Sequence, residues 1–341
     1  MPLPRSLPDA TNTPLRGGPV LRWGVLAPGR IADDWVRTVH AHTDQRVLAV
    51  ASRDAERAAG FASRHGIPRW HEGYEALVAD PEIDVVYVSP PHVHHVPLAL
   101  LAISAGKHVL IEKPLATTEA DVRRVAEAAR EAGVFAMEAM WTRFLPQTTV
   151  LRRLLDDGAL GRPVAAAADF GIAFGFDATS RAYDPAAAGG ALLDLGIYPL
   201  WFTAFALGDA SRVTARGSLT STGVEEQAAV LTEHEGGLGA ATASMIASTP
   251  NTAFVAGESG RVEIDGPFWS PGGFRMISAG GELRYADPSA LRHRDGLAYQ
   301  AATVAAHIAE GRTEAPEHPL ERTARLLRTI DEARRQVGVV T

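Results

Sequence analysis

The feature that most constrains the fold is a regular alternation of short apolar runs and amphipathic segments over roughly the first 140 residues. The apolar runs are rich in valine, isoleucine and alanine and lack polar alternation, which is typical of strands covered on both faces. Because helical segments separate these runs, the chain is predicted to form a doubly wound parallel sheet, an α/β fold. The predicted strands are residues 20–27, 46–51, 84–89, 108–112 and 134–138.

The rhythm changes from Val164 onward. One helix-like stretch, residues 190–207, is followed by strand-like runs that glycine-rich turns such as Glu235-Gly236-Gly237 separate. This pattern predicts a C-terminal α+β domain with an open, mainly antiparallel sheet. Its predicted strands are residues 212–220, 227–234, 238–248, 253–257 and 261–265. Two late helices, residues 297–310 and 320–337, are expected to pack back onto the body.

Length and composition limit the classes of protein to which the chain can belong. Its 341 residues favour two domains, which we predict at residues 20–140 and 141–341 after a flexible arm of residues 1–19. The 33 basic and 40 acidic residues give a formal net charge of −7, which disfavours nucleic acids and anionic membranes as partners. The absence of cysteine excludes disulfides, thiolate nucleophiles and cysteine-ligated metals.

The first residues are rich in proline and have no apolar core of the kind that a secretory signal needs. The apolar runs elsewhere are expected to stay shorter than a membrane span. We therefore expect a soluble, cytoplasmic protein with no membrane partner.

The first predicted strand ends in a turn that is similar to the dinucleotide-binding fingerprint G-x-G-x-x-G/A. Ala27, Gly29 and Ala32 occupy its positions, an imperfect match because alanine replaces the first glycine. Gly29 would let the backbone, with Arg30 and Ile31, approach a pyrophosphate at the N-terminus of the next helix, where N–H groups favour anions. The alternative is a simple tight turn. The surrounding strand and helix favour nucleotide binding.

The end of the second predicted strand bears on the choice between NADP and NAD. An NAD enzyme usually places a carboxylate there to accept the ribose hydroxyls. This chain has Ser52 and Arg53 instead, and Arg53 can pair with a 2′-phosphate. The sequence therefore predicts NADP, with NAD as the alternative, although Arg53 could also be a solvated loop charge.

The segment Glu112-Lys113-Pro114 ends another predicted strand, at the edge where ligands bind in open α/β sheets. A lysine there can hydrogen-bond a substrate hydroxyl and act in proton transfer. The following proline holds Lys113 extended, which fixes the direction of its side chain. The alternative interpretation is a solvated lysine at a strand end.

A second candidate pair lies in the predicted helix of the C-terminal half. Asp194 and Tyr198 are four residues apart, so a regular helix places them on one face. A carboxylate beside a phenol can orient a carbinol and help move its proton. Tyr198 could equally be a core aromatic residue with a polar tip.

Three histidines, His92, His94 and His95, follow the predicted strand 84–89. Their spacing does not match the common zinc sites, so no metal is predicted. We expect His92, His95 and the neighbouring Pro90 to line the nicotinamide crevice, or the histidines to cap the next helix. The sequence contains neither a GxSxG elbow nor a GxxxxGK[ST] loop, so it supports neither a hydrolase nor a P-loop NTPase.

Taken together, these motifs resemble the Gfo/Idh/MocA oxidoreductase family over about residues 20–340. The most specific marks are Glu112-Lys113-Pro114, the turn from Ala27 to Ala32, and Asp194-x-Gly196-x-Tyr198. The segments 137–146 and 189–198 look most like the branch of dimeric dihydrodiol dehydrogenases and NADP-dependent D-xylose 1-dehydrogenases.

The resemblance implies an N-terminal Rossmann domain for the dinucleotide and a C-terminal domain for substrate and dimerisation through the open sheet. It implies reversible hydride transfer between the nicotinamide and a secondary carbinol of a sugar, polyol or cyclic diol. Lys113 would be the catalytic lysine, in an often cis lysine–proline bond, Tyr198 would take the place of a catalytic histidine, and Asp194 would orient the substrate. The family's Pro-Asn-x-x-His segment maps its histidine onto His95, and His92 replaces the asparagine.

The substrate is not readable from the sequence. Four residues are candidates for substrate binding by location, and packing between domains is the alternative for the aromatic ones. They are Trp141, Arg143, Phe176 and Tyr183.

The leading hypothesis is an NADP-dependent dehydrogenase or reductase that acts as a homodimer or higher homo-oligomer on a small carbohydrate or diol. A second hypothesis is a non-catalytic NADP-sensing regulatory protein on the same fold, since fold does not imply activity. The presence of Lys113, Asp194 and Tyr198 favours catalysis. Bond-breaking chemistry with transient oxidation is a third alternative.

Overall fold

The computed structural model describes residues 4–339. Two compact units are present. The first, here called the Rossmann unit, comprises Asn12–Phe144 and His293–Ala324. The second, called the open-sheet unit, comprises the chain up to Thr11, Leu145–Arg292, and the chain from Arg325 onward. The domain boundaries given above stay a prediction.

The Rossmann unit contains a six-stranded parallel sheet in the order β3-β2-β1-β4-β5-β6. The strands are β1 Arg22–Leu26, β2 Arg46–Ser52, β3 Arg69–Glu72, β4 Val85–Val88, β5 His108–Ile111 and β6 Ala136–Glu138. Strands β1, β4 and β5 are buried almost throughout, which agrees with their unbroken apolar sequences. The doubly wound parallel sheet is confirmed. Strand β3 was not predicted, because its sequence Arg-Trp-His-Glu is polar and half exposed at the sheet edge.

The open-sheet unit contains an eight-stranded sheet in the order β14-β13-β12-β11-β7-β10-β9-β8. Its strands are β7 Pro163–Gly171, β8 Arg212–Leu219, β9 Glu225–His234, β10 Gly237–Ser244, β11 Ala253–Gly257, β12 Gly260–Ile264, β13 Gly273–Ser278 and β14 Gly281–Ala286. Every pairing is antiparallel except that of β7 with β10, so the prediction of an open, mainly antiparallel sheet is confirmed. Strands β7, β13 and β14 were missed.

The nine α-helices of residues 4–339 connect these strands. They are α1 Arg30–His42, α2 Ala55–His65, α3 Glu75–Val78, α4 His95–Ser104, α5 Glu119–Ala132, α6 Pro146–Asp156, α7 Ile197–Leu207, α8 Leu297–Ala309 and α9 Leu320–Val337. Side chains cap two helices of the Rossmann unit, since Asp54 accepts the Arg57 N–H (3.0 Å) and Thr118 accepts the Asp121 N–H (3.2 Å). Helix α1 begins at Gly29 without such a cap.

Helix α7 packs on β7 and β10 and covers one face of the eight-stranded sheet. In β9, buried and exposed residues alternate, as expected for a sheet covered on one side. The uncovered face exposes large apolar side chains: Leu231 is 60% exposed, Leu238 65% and Phe254 39%. Such a face is a candidate interface.

The longest apolar helical stretch, Pro185–Leu207, corrects one expectation. By length and composition alone it could cross a membrane, so an apolar run of membrane-span length does occur. The residues of its apolar window are 83% buried within the structure. This is the burial of a core helix, because α7 lies on β7 and β10.

Residues 4–21 form neither helix nor strand but make specific contacts. The Thr11 N–H donates to Thr149 Oγ1 (3.0 Å), and Arg153 donates to the Asp9 carbonyl (3.1 Å). Within the Rossmann unit, Arg16 forms an ion pair with Asp44 (3.0 Å). The predicted flexibility of the arm stays a prediction that hydrogen exchange can test.

Candidate active site

The residues predicted to bind the cofactor follow four neighbouring strands at the same edge of the parallel sheet. In the register, Leu26 at the end of β1 lies beside Ala51 of β2 and Val88 of β4, and Val88 lies beside Ile111 of β5. The loops that follow β1, β2, β4 and β5 therefore all start at the carboxyl ends of the strands, on the same side of the sheet. β1 and β4 flank the point where the strand order reverses, which is where nucleotides bind in this architecture. The loops there contain Ala27, Gly29, Arg30, Ile31, Ser52, Arg53, Pro90, His92, Glu112 and Lys113.

The first of these loops has the conformation of a dinucleotide-binding turn although its first glycine is absent. Ala27 has φ 58°, in the left-handed region that favours glycine, and its N–H donates to the Ala51 carbonyl (2.9 Å). Gly29 is exposed at the start of α1, and a Cβ added there would meet nothing within 4 Å. No side chain caps the first turn of α1 at Gly29. This cradle fits the pyrophosphate of a nicotinamide dinucleotide.

At the end of β2, Ser52 is buried and its Oγ accepts the Asp54 N–H (3.2 Å). The Asp54 carboxylate caps α2, while Arg53 is exposed. The exposed cation, rather than a carboxylate, is therefore available to a ligand at this position.

Lys113 lies two residues after the end of β5 and is half-buried. The Lys113–Pro114 peptide bond is cis, as the family resemblance implies. The preceding Glu112 is buried, accepts a hydrogen bond from the Tyr87 hydroxyl and also accepts the Lys113 N–H (3.2 Å). Burial raises the pKa of Glu112, and the hydrogen bond from Tyr87 lowers it by less.

His95 is buried, and backbone carbonyls engage both of its ring nitrogens. Its Nδ1 lies 2.7 Å from the Pro114 carbonyl and its Nε2 lies 2.9 Å from the Pro90 carbonyl. These contacts tie the loop after β4 to the loop after β5. They indicate that His95 holds the two loops in place, whereas its predicted contact with cofactor stays a prediction.

His92 is also buried, and its ring centroid lies 5.7 Å from that of His95. Within residues 4–339, no group of three histidine, cysteine, aspartate or glutamate side chains is arranged to hold a metal ion.

Glu138, the last residue of β6, contacts the loop that follows β5 and contains Lys113. It is fully buried, and its Oε1 accepts the Leu115 N–H (3.0 Å). Its Oε2 accepts hydrogen bonds from His318 Nε2 and Thr323 Oγ1, both at 2.8 Å. Burial by itself raises the pKa of Glu138, but the donors, His318 first among them, outweigh it and hold the pKa below its ordinary value.

In the open-sheet unit, the segment with Asp194 is not a regular helix. A single π-helical turn, Leu192–Gly196, precedes α7. The expected regular helix is therefore interrupted at Asp194, and the placement of Asp194 and Tyr198 on one face stays a prediction. Asp194 is partly buried, and one of its oxygens forms an ion pair with Arg181 (2.9 Å).

Tyr198 is buried in an aromatic cluster. Its ring centroid lies 5.5 Å from that of Phe170 on β7 and 6.3 Å from that of Trp269. The packing interpretation of this residue is therefore supported, and its catalytic role stays a prediction.

A second buried carboxylate lies under the segment with Asp194. Glu225 is fully buried, and its Oε1 accepts the Leu192 N–H (3.0 Å). Gly190, with φ 120°, lies so close that an added Cβ would be 2.5 Å from the Glu225 carboxyl carbon. Burial raises the pKa of Glu225, and Arg334 offsets only part of that rise.

The four predicted substrate residues differ in exposure. Trp141 and Arg143 are buried in a short 3₁₀-helix of the Rossmann unit, and Arg143 Nε donates to the Glu317 carbonyl (3.0 Å). In the open-sheet unit, Phe176 is 56% exposed, whereas Tyr183 is buried and donates to the Phe174 carbonyl (3.3 Å). Phe176 is thus the more accessible of these two rings, and substrate contact stays a prediction for all four.

Four side chains near these segments were not predicted as site residues. They are Glu138, His318, Arg181 and Glu225. Their partners are distant in sequence, so local motifs contain no signal for them. Only a buried acidic residue at the end of an apolar run, as in Phe135-Ala136-Met137-Glu138, could have pointed to Glu138.

Comparisons with known proteins agree with this architecture. Residues 21–140 match the family described as "Oxidoreductase family, NAD-binding Rossmann fold", and residues 148–263 match the "GFO/IDH/MocA C-terminal domain". Trans-1,2-dihydrobenzene-1,2-diol dehydrogenase of Mus musculus is 36% identical over 330 residues, which are 94% of this chain and 97% of the relative.

Two solved structures are also similar. Aldose-aldose oxidoreductase from Caulobacter crescentus, complexed with glycerol, is 26% identical with a TM-score of 0.82, over 93% of this chain and 97% of the other. A variant of a 3-ketoreductase from Actinomadura kijaniata, in complex with TDP-benzene and NADP, is 28% identical with a TM-score of 0.79, over the same shares. The predicted nicotinamide-dependent dehydrogenase is confirmed. The chain belongs to the Gfo/Idh/MocA family of oxidoreductases.

Proposed function

We propose that the protein is an NADP-dependent oxidoreductase that transfers a hydride between the nicotinamide and a secondary carbinol or carbonyl of a sugar, polyol or cyclic vicinal diol. The observation that supports it best is the position of Lys113. It stands at the carboxyl end of β5, in the row of loops whose backbone fits a dinucleotide. The relatives named for a dihydrodiol and for aldoses support the substrate class.

In the oxidation, the carbinol O–H proton passes to the Lys113 amine as the C–H hydride leaves. The bound cofactor supplies the hydride acceptor. In the reduction, the Lys113 ammonium returns the proton to the carbonyl oxygen. General acid–base catalysis of this kind requires a lysine whose position is fixed, and buried Glu112 accepts the Lys113 N–H (3.2 Å) and so holds the backbone of Lys113.

Tyr198 and Asp194 are proposed to assist, on the strength of the family resemblance. Arg181 forms an ion pair with Asp194 (2.9 Å) that holds its carboxylate in place, and Asp194 would orient a substrate hydroxyl. The buried ring of Tyr198 is fixed by Phe170 and Trp269, which would hold its phenol in one orientation.

The preference for NADP is proposed from Arg53. It is exposed at the end of β2, and its guanidinium can pair with a 2′-phosphate. Arg53→Ala is expected to raise KM for NADP⁺ by about 10- to 100-fold and to leave KM for NAD⁺ within about twofold. Arg57→Ala, which removes another exposed arginine in the first turn of α2, is the matched control. Equal effects on both cofactors would contradict the assignment.

The defining experiment follows absorbance of the reduced nicotinamide when the protein is mixed with NADP⁺ or NAD⁺ and a panel of aldoses, polyols and cyclic diols. We expect reduction with NADP⁺ and one substrate class. Lys113→Met should lower kcat by at least about 100-fold while NADP still binds by calorimetry. Unchanged turnover in this variant would overturn the role of Lys113. Binding of NADP without turnover on any substrate would favour the sensor hypothesis.

We also infer that the uncovered face of the eight-stranded sheet forms a homo-oligomer interface. Its exposed Leu231, Leu238 and Phe254 are apolar side chains that a second copy would cover. Leu231→Arg should convert the oligomer to a monomer in light scattering, whereas a monomeric parent protein would contradict the inference.

A further inference from the structure

The backbone around Lys113 is held at three consecutive residues. Three backbone polar groups of this segment are each in contact with a buried side chain. The Lys113 N–H donates to Glu112 Oε2 (3.2 Å), the Pro114 carbonyl contacts His95 Nδ1 (2.7 Å), and the Leu115 N–H donates to Glu138 Oε1 (3.0 Å). Glu112 is the neighbour of Lys113, and the Glu138 contact comes from a different strand.

Glu138 connects this loop to a distant part of the same unit. Its other oxygen is shared by His318 Nε2 and Thr323 Oγ1, each at 2.8 Å, and these two side chains lie 3.2 Å apart. All three side chains are at most 2% exposed. Because the carboxylate has a partner on each oxygen and is closed to solvent, it has little freedom to move.

We propose that Glu138, held by His318 and Thr323, is a positioning residue for the hydride-transfer reaction: it fixes the backbone from Lys113 to Leu115 and thereby the position of the Lys113 side chain. Glu138 touches the loop through the Leu115 N–H and acts through Lys113. This role rests on the proposed function, in which Lys113 exchanges the carbinol proton.

The physical basis is that proton transfer depends steeply on position. A misplacement of about 1 Å costs about 100-fold in rate. In Glu138→Gln, the amide oxygen can still accept the Leu115 N–H, but its NH₂ group faces donors of His318 and Thr323. The side chain must shift, or His318 Nε2 and the Thr323 hydroxyl must change from donor to acceptor.

The sequence offers an unusually direct measurement, because the chain contains two lysines, Lys107 and Lys113. Lys107 Nζ donates to the carbonyls of Asp80 (2.7 Å) and Ile83 (2.8 Å) and serves as an internal reference. After reductive methylation with ¹³C-formaldehyde, the two lysines and the N-terminus give separate NMR signals. The titration of the Lys113 signal reports its surroundings independently of turnover.

We expect Glu138→Gln to lower kcat by about 10- to 100-fold with KM for NADP⁺ changed by less than about threefold. The kcat–pH profile should shift, and the Lys113 signal should move while that of Lys107 stays. The matched control is His307→Gln, which breaks another histidine–carboxylate pair of this unit, that of buried His307 Nε2 with half-buried Glu317 Oε2 at 2.9 Å. Its kcat should stay within about twofold of the parent protein.

If Glu138→Gln does not fold, two variants of Thr323 that keep the Glu138 carboxylate test the positioning role instead. Thr323→Val removes one hydrogen bond to Glu138 and should lower kcat by about three- to tenfold. Thr323→Ser keeps the hydroxyl and should restore kcat and the Lys113 signal.

The two proposals fail in different ways. If Lys113→Met loses turnover but Glu138→Gln or Thr323→Val behaves like His307→Gln in kcat and in the Lys113 signal, the positioning role is wrong and the proposed function stands. If Lys113→Met keeps turnover, the proposed function is wrong, and the positioning role falls with it.

Discussion

Each unit of the molecule places a buried glutamate under a segment with a catalytic candidate, and the two glutamates differ in their partners. Glu138 in the Rossmann unit and Glu225 in the open-sheet unit each accept a backbone N–H at 3.0 Å, from Leu115 and Leu192. The second oxygen of Glu138 accepts two further hydrogen bonds. The second oxygen of Glu225 has no hydrogen-bond partner among residues 4–339.

This difference shifts the pKa values of two equally buried carboxyl groups in opposite directions. The pKa of Glu138 is lowered, because its donors outweigh the cost of burial, whereas the pKa of Glu225 is raised, because Arg334 at 3.5 Å does not outweigh that cost. Burial alone therefore does not set the direction of the pKa shift of an interior carboxyl group, because the donors that face it act in the opposite direction.

The largest effect is expected from deleting the well-partnered carboxylate. Glu138→Ala should lower the free energy of unfolding by about 3–5 kcal/mol, because His318, Thr323 and the Leu115 N–H all lose their buried partner. Urea denaturation measures this, with His307→Gln as the control for loss of a less buried pair. A loss below about 1 kcal/mol would show that the network contributes little.

The next largest loss of stability is expected from adding a side chain at Gly190, which lies close to Glu225. Gly190→Ala should cost about 2–4 kcal/mol, because the new Cβ would lie 2.5 Å from the Glu225 carboxyl carbon at φ 120°. Gly133→Ala is the matched control, since Gly133 has φ 65° and nothing within 4 Å of its Cβ position. Equal losses in the two variants would mean that backbone conformation, rather than the carboxylate, accounts for the effect.

The smallest effect is expected from neutralising each glutamate. Glu225→Gln should change stability at pH 7 by less than about 1 kcal/mol, whereas Glu138→Gln should cost about 1–3 kcal/mol. In Glu225→Gln, the group that is replaced has few hydrogen-bond partners and is costly to bury, so little stability is lost. In Glu138→Gln, favourable hydrogen bonds are lost. Similar losses in both variants would contradict the comparison.

The contributions of Glu225 and Glu138 to the free energy of unfolding depend on pH with opposite signs. For Glu225, the raised pKa makes the folded state hold a proton that the unfolded state has lost, so its contribution to stability increases as pH falls from above its folded pKa toward 4.5. For Glu138, the lowered pKa gives a contribution that is present above 4.5 and is lost as pH falls through the folded value. Denaturation of both glutamine variants from pH 7.5 to 4 measures these trends.

Much of the fold was predictable, because its strands are local patterns. Five of the six Rossmann strands were found from unbroken apolar runs. Strand β7 was missed because Pro-Val-Ala-Ala-Ala-Ala has the low β-propensity of alanine, and pairing on both edges overrides it.

The site was less predictable than the fold. Lys113 was predictable because its motif lies at the carboxyl end of a predicted strand, which is where ligands bind in open α/β sheets. The contacts of Glu138 with His318, and of Asp194 with Arg181, join residues that no local spacing relates. The π turn before α7 also left no readable pattern, since Leu-Leu-Asp-Leu-Gly suits a regular helix.

Strand β7 has a consequence for how the open-sheet unit assembles. On one side of it, β8, β9 and β10 follow one another as hairpin neighbours, and on the other side β11 to β14 do the same. These two ribbons can form from contacts close in sequence, but neither is bonded to the other except through β7, which precedes both. Closing the sheet therefore requires long chain loops, whose entropy opposes rapid folding. Both pairings of the alanine-rich strand β7 are with strands distant in sequence, so we expect β7 to pair after the two ribbons have formed.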